Sequence, residues 1–575
     1  MTTCQQCKEQ FEITVDERSF LESIKAPEPT FCPPCRLQRR MVRRNERNLY
    51  ALKCAGSGNR IISNFAPESP FPVYGREFWY SDLWDGTRYG REYDFSRSFF
   101  EQFADLAKVA PRLQMWIVNS VNSDYSSYVV DSRNCYLCFT ALGGNENCAY
   151  CSYLQNSSNC VDCYLVNKCD RCYECFNCDG SYNLLFSRDS SNCRDSSFLI
   201  ECIDCSDCIG CVGLRGKQYC IFNEQHSKEE YQSKKAQLQL SSRAGIAQMR
   251  EKIEIFSKKF PRRYMHGRKN EDVTGDYINN SKNIRNGFMM SRSEDCAHTY
   301  FGLGLKSSQD VTVSTLGNEA LYECHAIPKQ NFNIKFSDVC ANGSHDLEYC
   351  VNCDSSSNLF GCIGLRGKEY CILNKQYSKE EYEQLVPRIK QQMHDVPYRD
   401  KQGCEYRYGE MFPIELSPFA YNETVAYEFF PLTKEQALAR GFRWKDLAEK
   451  QYKITTPAEE VPEEAADSLV NEVIGCAHAG QCSHNCTTAF KLIPDELVRY
   501  REFKIPPPTM CPNCRHYERI KVRNPLALYK RRCDCAGAAT HPHGASPCPN
   551  EFETSYSPDR PEIVYCEQCY QQETA

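Results

Sequence analysis

Through residues 119–226 and 277–377, β-type apolar and polar residues alternate in short units about a dozen residues long, with Asn or Ser at the corners. In the first stretch Asn134-Cys-Tyr-Leu-Cys, Asn147-Cys-Ala-Tyr-Cys, Asn159-Cys-Val-Asp-Cys, Arg171-Cys-Tyr-Glu-Cys and Asn183-Leu-Leu-Phe-Ser begin 13, 12, 12 and 12 residues apart. So short a unit cannot bury a face alone and must stack on its neighbours, so the pattern predicts a β-solenoid in two halves. The pattern turns helical and Lys/Glu/Gln-rich at 227–260 and 378–394. Each of these opens on a capping box, Ser227-Lys-Glu-Glu230 and Ser378-Lys-Glu-Glu381. Residues 61–118 are aromatic-rich, and 454–472 are acidic, Pro/Ala-rich and unpatterned, which reads as a linker. No run of eighteen apolar residues exists, which excludes a membrane-spanning helix.

Two internal duplications organise the chain. Residues 7–54 align without a gap to 486–533, matching Cys7/Cys486, Cys32/Cys511, Cys35/Cys514, Arg40/Arg519 and Tyr50/Tyr529. The match resumes at 59–80 against 550–571, where Gly75 and Phe78 replace Cys566 and Cys569. In the middle, GCVGLRGKQYCIFNEQHSKEEY (210–231) repeats as GCIGLRGKEYCILNKQYSKEEY (361–382).

Composition then sharpens the chemistry. The 575 residues include 39 cysteines, and the opening Met1-Thr-Thr-Cys has neither a basic leader nor an apolar core. The expectation is a cytoplasmic protein whose thiols stay reduced and serve as metal ligands or small buried residues. Two CxxC knuckles, Cys4/Cys7 and Cys32/Cys35, supply four thiolates for tetrahedral Zn²⁺. Their duplicate offers Cys482, Cys486, Cys511 and Cys514; the Cys482–Cys486 spacing is one residue wider, and Cys476, His478 and His484 stand by as substitutes. A third site is expected among Cys533, Cys535, Cys548, Cys566 and Cys569, with His541 and His543 in the same insertion. Two or three Zn²⁺ per chain are therefore expected. In the solenoid, 169-172-175-178 and 202-205-208-211 also show CxxC spacing. Yet Cys205 and Cys208 correspond to Ser356 and Leu359 in the second half, which favours a core column over a ligand column.

These readings give α+β multidomain architecture. An N-terminal zinc-ribbon or treble-clef module (1–60) and an aromatic-rich extension (61–118) precede solenoid half one (119–226) and a helical insert (227–276). Half two (277–377), a helical or irregular segment (378–453), the linker (454–472) and the duplicated zinc module (473–575) follow. No G-x-S-x-G, Walker, GxGxxG or HExxH motif is present, so no enzyme is expected. Net charge is −6, so any nucleic-acid function needs a local patch. Arg36, Arg39, Arg40, Arg43, Arg44 and Arg47 fall on one face if 36–47 is helical. That stripe fits RNA or DNA phosphates, an ordinary solvated face, or an acidic protein surface, including the chain's own Glu459, Glu460, Glu463, Glu464 and Asp467.

The modules CPPCRLQRRMVRRNERNLY and EFETSYSPDRPEIVYCEQCY, with residues 408–446, resemble a family of large cysteine-rich proteins predicted in candidate-phyla bacteria with reduced genomes. Members sometimes carry a CaiB/BaiF-type CoA-transferase label. The resemblance implies a lineage and zinc-ribbon-like modules, which elsewhere serve nucleic-acid and protein binding alike. The reading is a zinc-stabilised, non-enzymatic interaction protein, with a metal-handling or thiol-redox protein as the alternative.

Overall fold

The computed structural model describes residues 1–446, 452–537, 541 and 543–574; residues 447–451 of the 378–453 segment and the rest of the 473–575 module lie outside them. The middle of the chain is two parallel β-solenoids. Their wall has a period of three. Asn134, Leu137 and Thr140 have φ near +50°, and the residues that follow, Cys135, Cys138 and Ala141, point inward and are buried. Four such triplets make the 12-residue turn seen in the register Ser152↔Tyr164. A left-handed backbone costs an L-residue about 1–2 kcal/mol, and Asn and Asp tolerate it best. Their side chains recover part of that cost by stacking from turn to turn, as in Asn134→Asn147 (2.9 Å) and Asn177→Asp189 (2.8 Å).

This period accounts for the CxxC spacing of the solenoid. The inward thiols are buried, and each donates its S–H to the carbonyl two residues back, as Cys163 does to Val161 (3.4 Å) and Cys202 to Ile200 (3.5 Å). Serine serves the same slot: Ser157 Oγ donates to Gln155 O (2.8 Å) and accepts the Cys169 N–H (3.2 Å). A small side chain with one donor suits so narrow an interior. The second solenoid lengthens several turns to thirteen residues (Leu305↔Asn318) and fills them with Leu305, Leu321, Ile334, Leu347 and Leu359.

Each solenoid ends in a hairpin, Cys220–Ile221 with Glu224–Gln225 and Glu369–Ile372 with Lys375–Gln376, which closes its edge. The capping-box helices Lys228–Gln237 and Lys379–Asp395 follow, with both boxes formed. The two solenoids meet through aromatic faces, Tyr153 on Phe301 (5.0 Å) and Phe176 on Tyr277 (6.1 Å).

The terminal modules carry three helices important to the site: α1 (Pro33–Met41), α2 (Pro512–Ile520) and α3 (Glu567–Thr574). Helix α1 lies on the second solenoid, whereas α2 reaches the first. The aromatic block packs its Phe99 and Phe100 against Tyr349 of the second solenoid. Residues 454–472 differ from the free linker expected. Val461, Ala465 and Leu469, four residues apart, are buried in the C-terminal core, and Arg243 and Arg501 hold the backbone at Val461 and Ala465. Among the described residues, no helix is long and apolar enough to cross a membrane.

Candidate metal centres

The first tetrad forms as expected. Strand Thr2–Thr3, paired to Gln10–Phe11, leads into Cys4. Cys32 is the N-cap of α1, and Pro33 and Pro34 occupy its first positions, where a missing N–H costs nothing. Cys35 therefore sits in the first turn, where the helix N-terminus favours a thiolate. The four Sγ atoms lie within 4.8 Å of one another, with Cys7–Cys32 at 3.6 Å. Zn–S bonds of about 2.3 Å in a tetrahedron place sulfurs about 3.8 Å apart, whereas a disulfide needs about 2.05 Å. The Cys32 N–H donates to Cys4 Sγ (3.3 Å), orienting that ligand.

In the second copy the tetrad is Cys476, Cys486, Cys511 and Cys514. Cys482, the first ligand expected from the spacing, is not one of these four, and Cys476 stands in its place. Strand Ile474–Gly475 pairs Ala489–Phe490 as Thr2–Thr3 pairs Gln10–Phe11, and the Cys511 N–H donates to Cys476 Sγ (3.2 Å). Cys476 thus takes the place of Cys4, and the knuckle is expanded from Cys4-x2-Cys7 to Cys476-x9-Cys486. The expansion brings Cys482 together with His478, His484 and the tetrad's own Cys514 in a second group. Gap-free alignment hid this, because the insertion lies upstream of the first aligned residue.

The third cluster also resolves into two groups, Cys533/Cys548/Cys566/Cys569 and Cys535/His541/His543/Cys569. In the N-terminal copy an aromatic plug of Tyr74, Trp79, Trp84 and Phe78 packs around the surviving Cys54. The orienting bond persists there: Gly75 N–H donates to Cys54 Sγ (3.2 Å), as Cys566 N–H does to Cys533 Sγ (3.2 Å). These groups can each hold a metal ion. Among the described residues, all groups of three or more such ligand atoms lie in the terminal modules.

The arginine stripe is not a surface. Helix α1 stops at Met41, so Arg43, Arg44 and Arg47 lie on the turn beyond it. Arg36, Arg39, Arg40, Arg43 and Arg44 are buried, and Arg47 is half-buried. Arg36 Nη2 meets Asp310 at 2.7 Å, and Arg40 Nη1 lies 3.0 Å from Asp310 and 2.9 Å from Glu323. Arg43 pairs Asp338 (3.0 Å), Arg44 pairs Glu46 (2.5 Å), and Arg39 stacks on Phe31 and donates to Tyr406 Oη (2.9 Å). The acidic partner is thus the chain's own second solenoid rather than its 454–472 segment. Burial pushes the Asp310 carboxyl up, but the guanidinium groups of Arg36 and Arg40 outweigh it and hold it below the usual carboxylate range.

The C-terminal copy repeats the arrangement on the other solenoid. Arg515 and Arg519 reach Asp162 (3.1 and 3.0 Å), and Arg515 reaches Glu496 (3.1 Å). The left-handed column Asp162, Glu174, Phe186, Phe198, Gly210 matches Asp310, Glu323, Phe336, Tyr349, Gly361, so equivalent aspartates receive equivalent arginines. Glu17 and Glu496, also equivalent, bond His298 and Tyr150, which stand one turn before Asp310 and Asp162 in those same columns. No family model matches the chain, and neither does any curated protein.

Proposed function

We propose that the chain is a non-enzymatic, zinc-stapled scaffold. Zinc in the terminal modules locks α1 and α2 onto opposite solenoids, and the joined solenoids present one rigid surface for interaction. The observation that carries this reading is the double duty of the two helices. Each begins with a cysteine pair of a tetrad, and the residue after the second cysteine, Arg36 or Arg515, enters a buried carboxylate cluster of a solenoid. Four protein ligands leave no position for water or substrate, which favours structure over catalysis. Structural zinc contributes about 10–16 kcal/mol of apparent binding free energy in small zinc-finger peptides, enough to organise a short module.

Elemental analysis of the purified full chain, followed by chelation and hydrogen exchange, tests this. The expected result is bound zinc, and loss of amide protection in both terminal modules before the solenoid interiors. Metal-free protein with full protection at α1 and α2 overturns the reading. A brown iron–sulfur spectrum, with metal released on substituting solenoid cysteines, supports the metal-handling alternative instead.

A further inference from the structure

We infer that the C-terminal module holds two thiolate-bridged pairs of zinc ions, one bridged by Cys514 and the other by Cys569, giving five ions per chain. This rests on the reading of the tetrads as zinc sites and extends it. Both cysteines belong to two groups at once: Cys514 to Cys476/Cys486/Cys511 and to His478/Cys482/His484, Cys569 to Cys533/Cys548/Cys566 and to Cys535/His541/His543. A thiolate sulfur has lone pairs enough to serve two metals. Cys482 Sγ lies 3.7 Å from Cys514 Sγ, and His543 Nε2 lies 3.2 Å from Cys569 Sγ.

Each insertion brings one cysteine and two histidines, the three ligands a second tetrahedral ion lacks. They come in unrelated order, as His478-x3-Cys482-x-His484 and as Cys535-x5-His541-x-His543. The Nδ1 atoms of His478 and His484 are buried without a hydrogen-bond partner. His543 Nδ1 donates to Ser546 O (2.6 Å), which leaves the Nε2 lone pair facing Cys569. A carboxylate stands four residues after each shared cysteine, on the Nε2 side of one histidine in each group: Glu518 is 3.9 Å from His478 Nε2, and Glu573 is 3.8 Å from His541 Nε2. Carboxylates behind metal-bound imidazoles are the usual second layer of such sites.

The N-terminal copy is an internal control. Cys35 occupies the same helical position as Cys514, but its knuckle has no insertion, Arg39 stands four residues on, and Cys35 belongs to a single group. Charge favours the pairs as well. One Zn²⁺ with four thiolates carries −2, whereas two Zn²⁺ with five thiolates and two neutral imidazoles carry −1, the lesser burden for a buried site.

Native mass spectrometry of the full zinc-loaded chain counts the ions, and ¹¹³Cd substitution reads the bridges. Five ions are expected, with two pairs of ¹¹³Cd resonances coupled through sulfur. X-ray absorption should show a Zn···Zn distance of about 3.8 Å, from two bonds of about 2.3 Å at a near-tetrahedral sulfur. Cys482→Ala and His541→Ala, which leave every cysteine tetrad whole, should each release one ion. Three ions, or five without coupling, overturn the bridges while the one-zinc-per-tetrad reading stands. Four ions overturn whichever bridge loses nothing to its variant. A chain with no metal overturns both readings.

Discussion

Asp310→Asn isolates the docking of the N-terminal module. Arg36, Arg40, Asp310 and Glu323 form a buried cluster of zero net charge, and the substitution leaves it at +1 with two guanidinium groups sharing Glu323. Breaking one partner of a buried ion pair costs about 3–5 kcal/mol. At about 1.4 kcal/mol per decade, α1 should then open about 10²–10³·⁵ times more often. Hydrogen exchange on peptides covering 31–44 of the full chain reads this directly, with 511–523 as internal reference. The reciprocal change Asp162→Asn should expose 511–523 and spare 31–44, since it strips Arg515 and Arg519 of the equivalent aspartate. Combining Asp310→Leu with Arg40→Met should recover much of the loss, because an apolar replacement leaves fewer stranded charges. Less than a tenfold change at 31–44, or equal loosening of both modules, would refute the assignment of docking to these carboxylates.

Four further outcomes are expected. Cys205→Ala should cost about 1–2 kcal/mol in urea unfolding and release no metal, whereas Cys205→Arg should prevent folding of the first solenoid. His266 should make the fold alkali-sensitive. Burial opposes its charge, but Asp276 (3.0 Å) and Asp189 (3.9 Å) outweigh it and raise the imidazole to about 9 from an ordinary 6.5. That stability is present in full below about pH 6.5 and disappears as pH rises through about 9. It amounts to about 3 kcal/mol, and a melting-temperature series should show it flattened in His266→Gln. Ser57, Gly75 and Phe78 stand where the other copy has Cys548, Cys566 and Cys569. Ser57→Cys/Gly75→Cys/Phe78→Cys should therefore gain one zinc beside Cys54, and an unchanged metal count would show that the aromatic plug has reshaped the site. Finally, any RNA binding by the full chain should show the same salt dependence after Arg40→Ala, because that guanidinium is spent inside the fold.

Much of the architecture was legible in the residues alone. The dozen-residue repeat, the two duplications, the capping boxes and the CxxC knuckles are local patterns, since stacking, helix initiation and a knuckle turn each depend on residues close in sequence. The core role of the solenoid thiols was legible for the same reason: Cys205 and Cys208 exchange with Ser356 and Leu359, and a wall of period three tolerates that exchange. The period itself could have been read from the CxxC spacing, with Asn or Asp ahead of about half of the inward cysteines, as at Asn134, Asn147, Asn159 and Asp162.

Three features required the tertiary structure. The arginine stripe gave no sign of its partner, because Asp310 and Glu323 follow Arg40 by about 270 and 283 residues and look in sequence like any other solenoid-wall acids. The division of C-terminal ligands was ambiguous, because spacing names the side chains able to bind metal but not which sulfurs converge. Only the strand pairing that puts Cys476 in the place of Cys4 frees Cys482 for a second group. The acidic stretch 454–472 read as a tether until Val461, Ala465 and Leu469 found a surface to cover. Covalent spacing dictates what a segment can do locally, and the burial of charge or apolar surface is decided by whichever distant element supplies the complementary face.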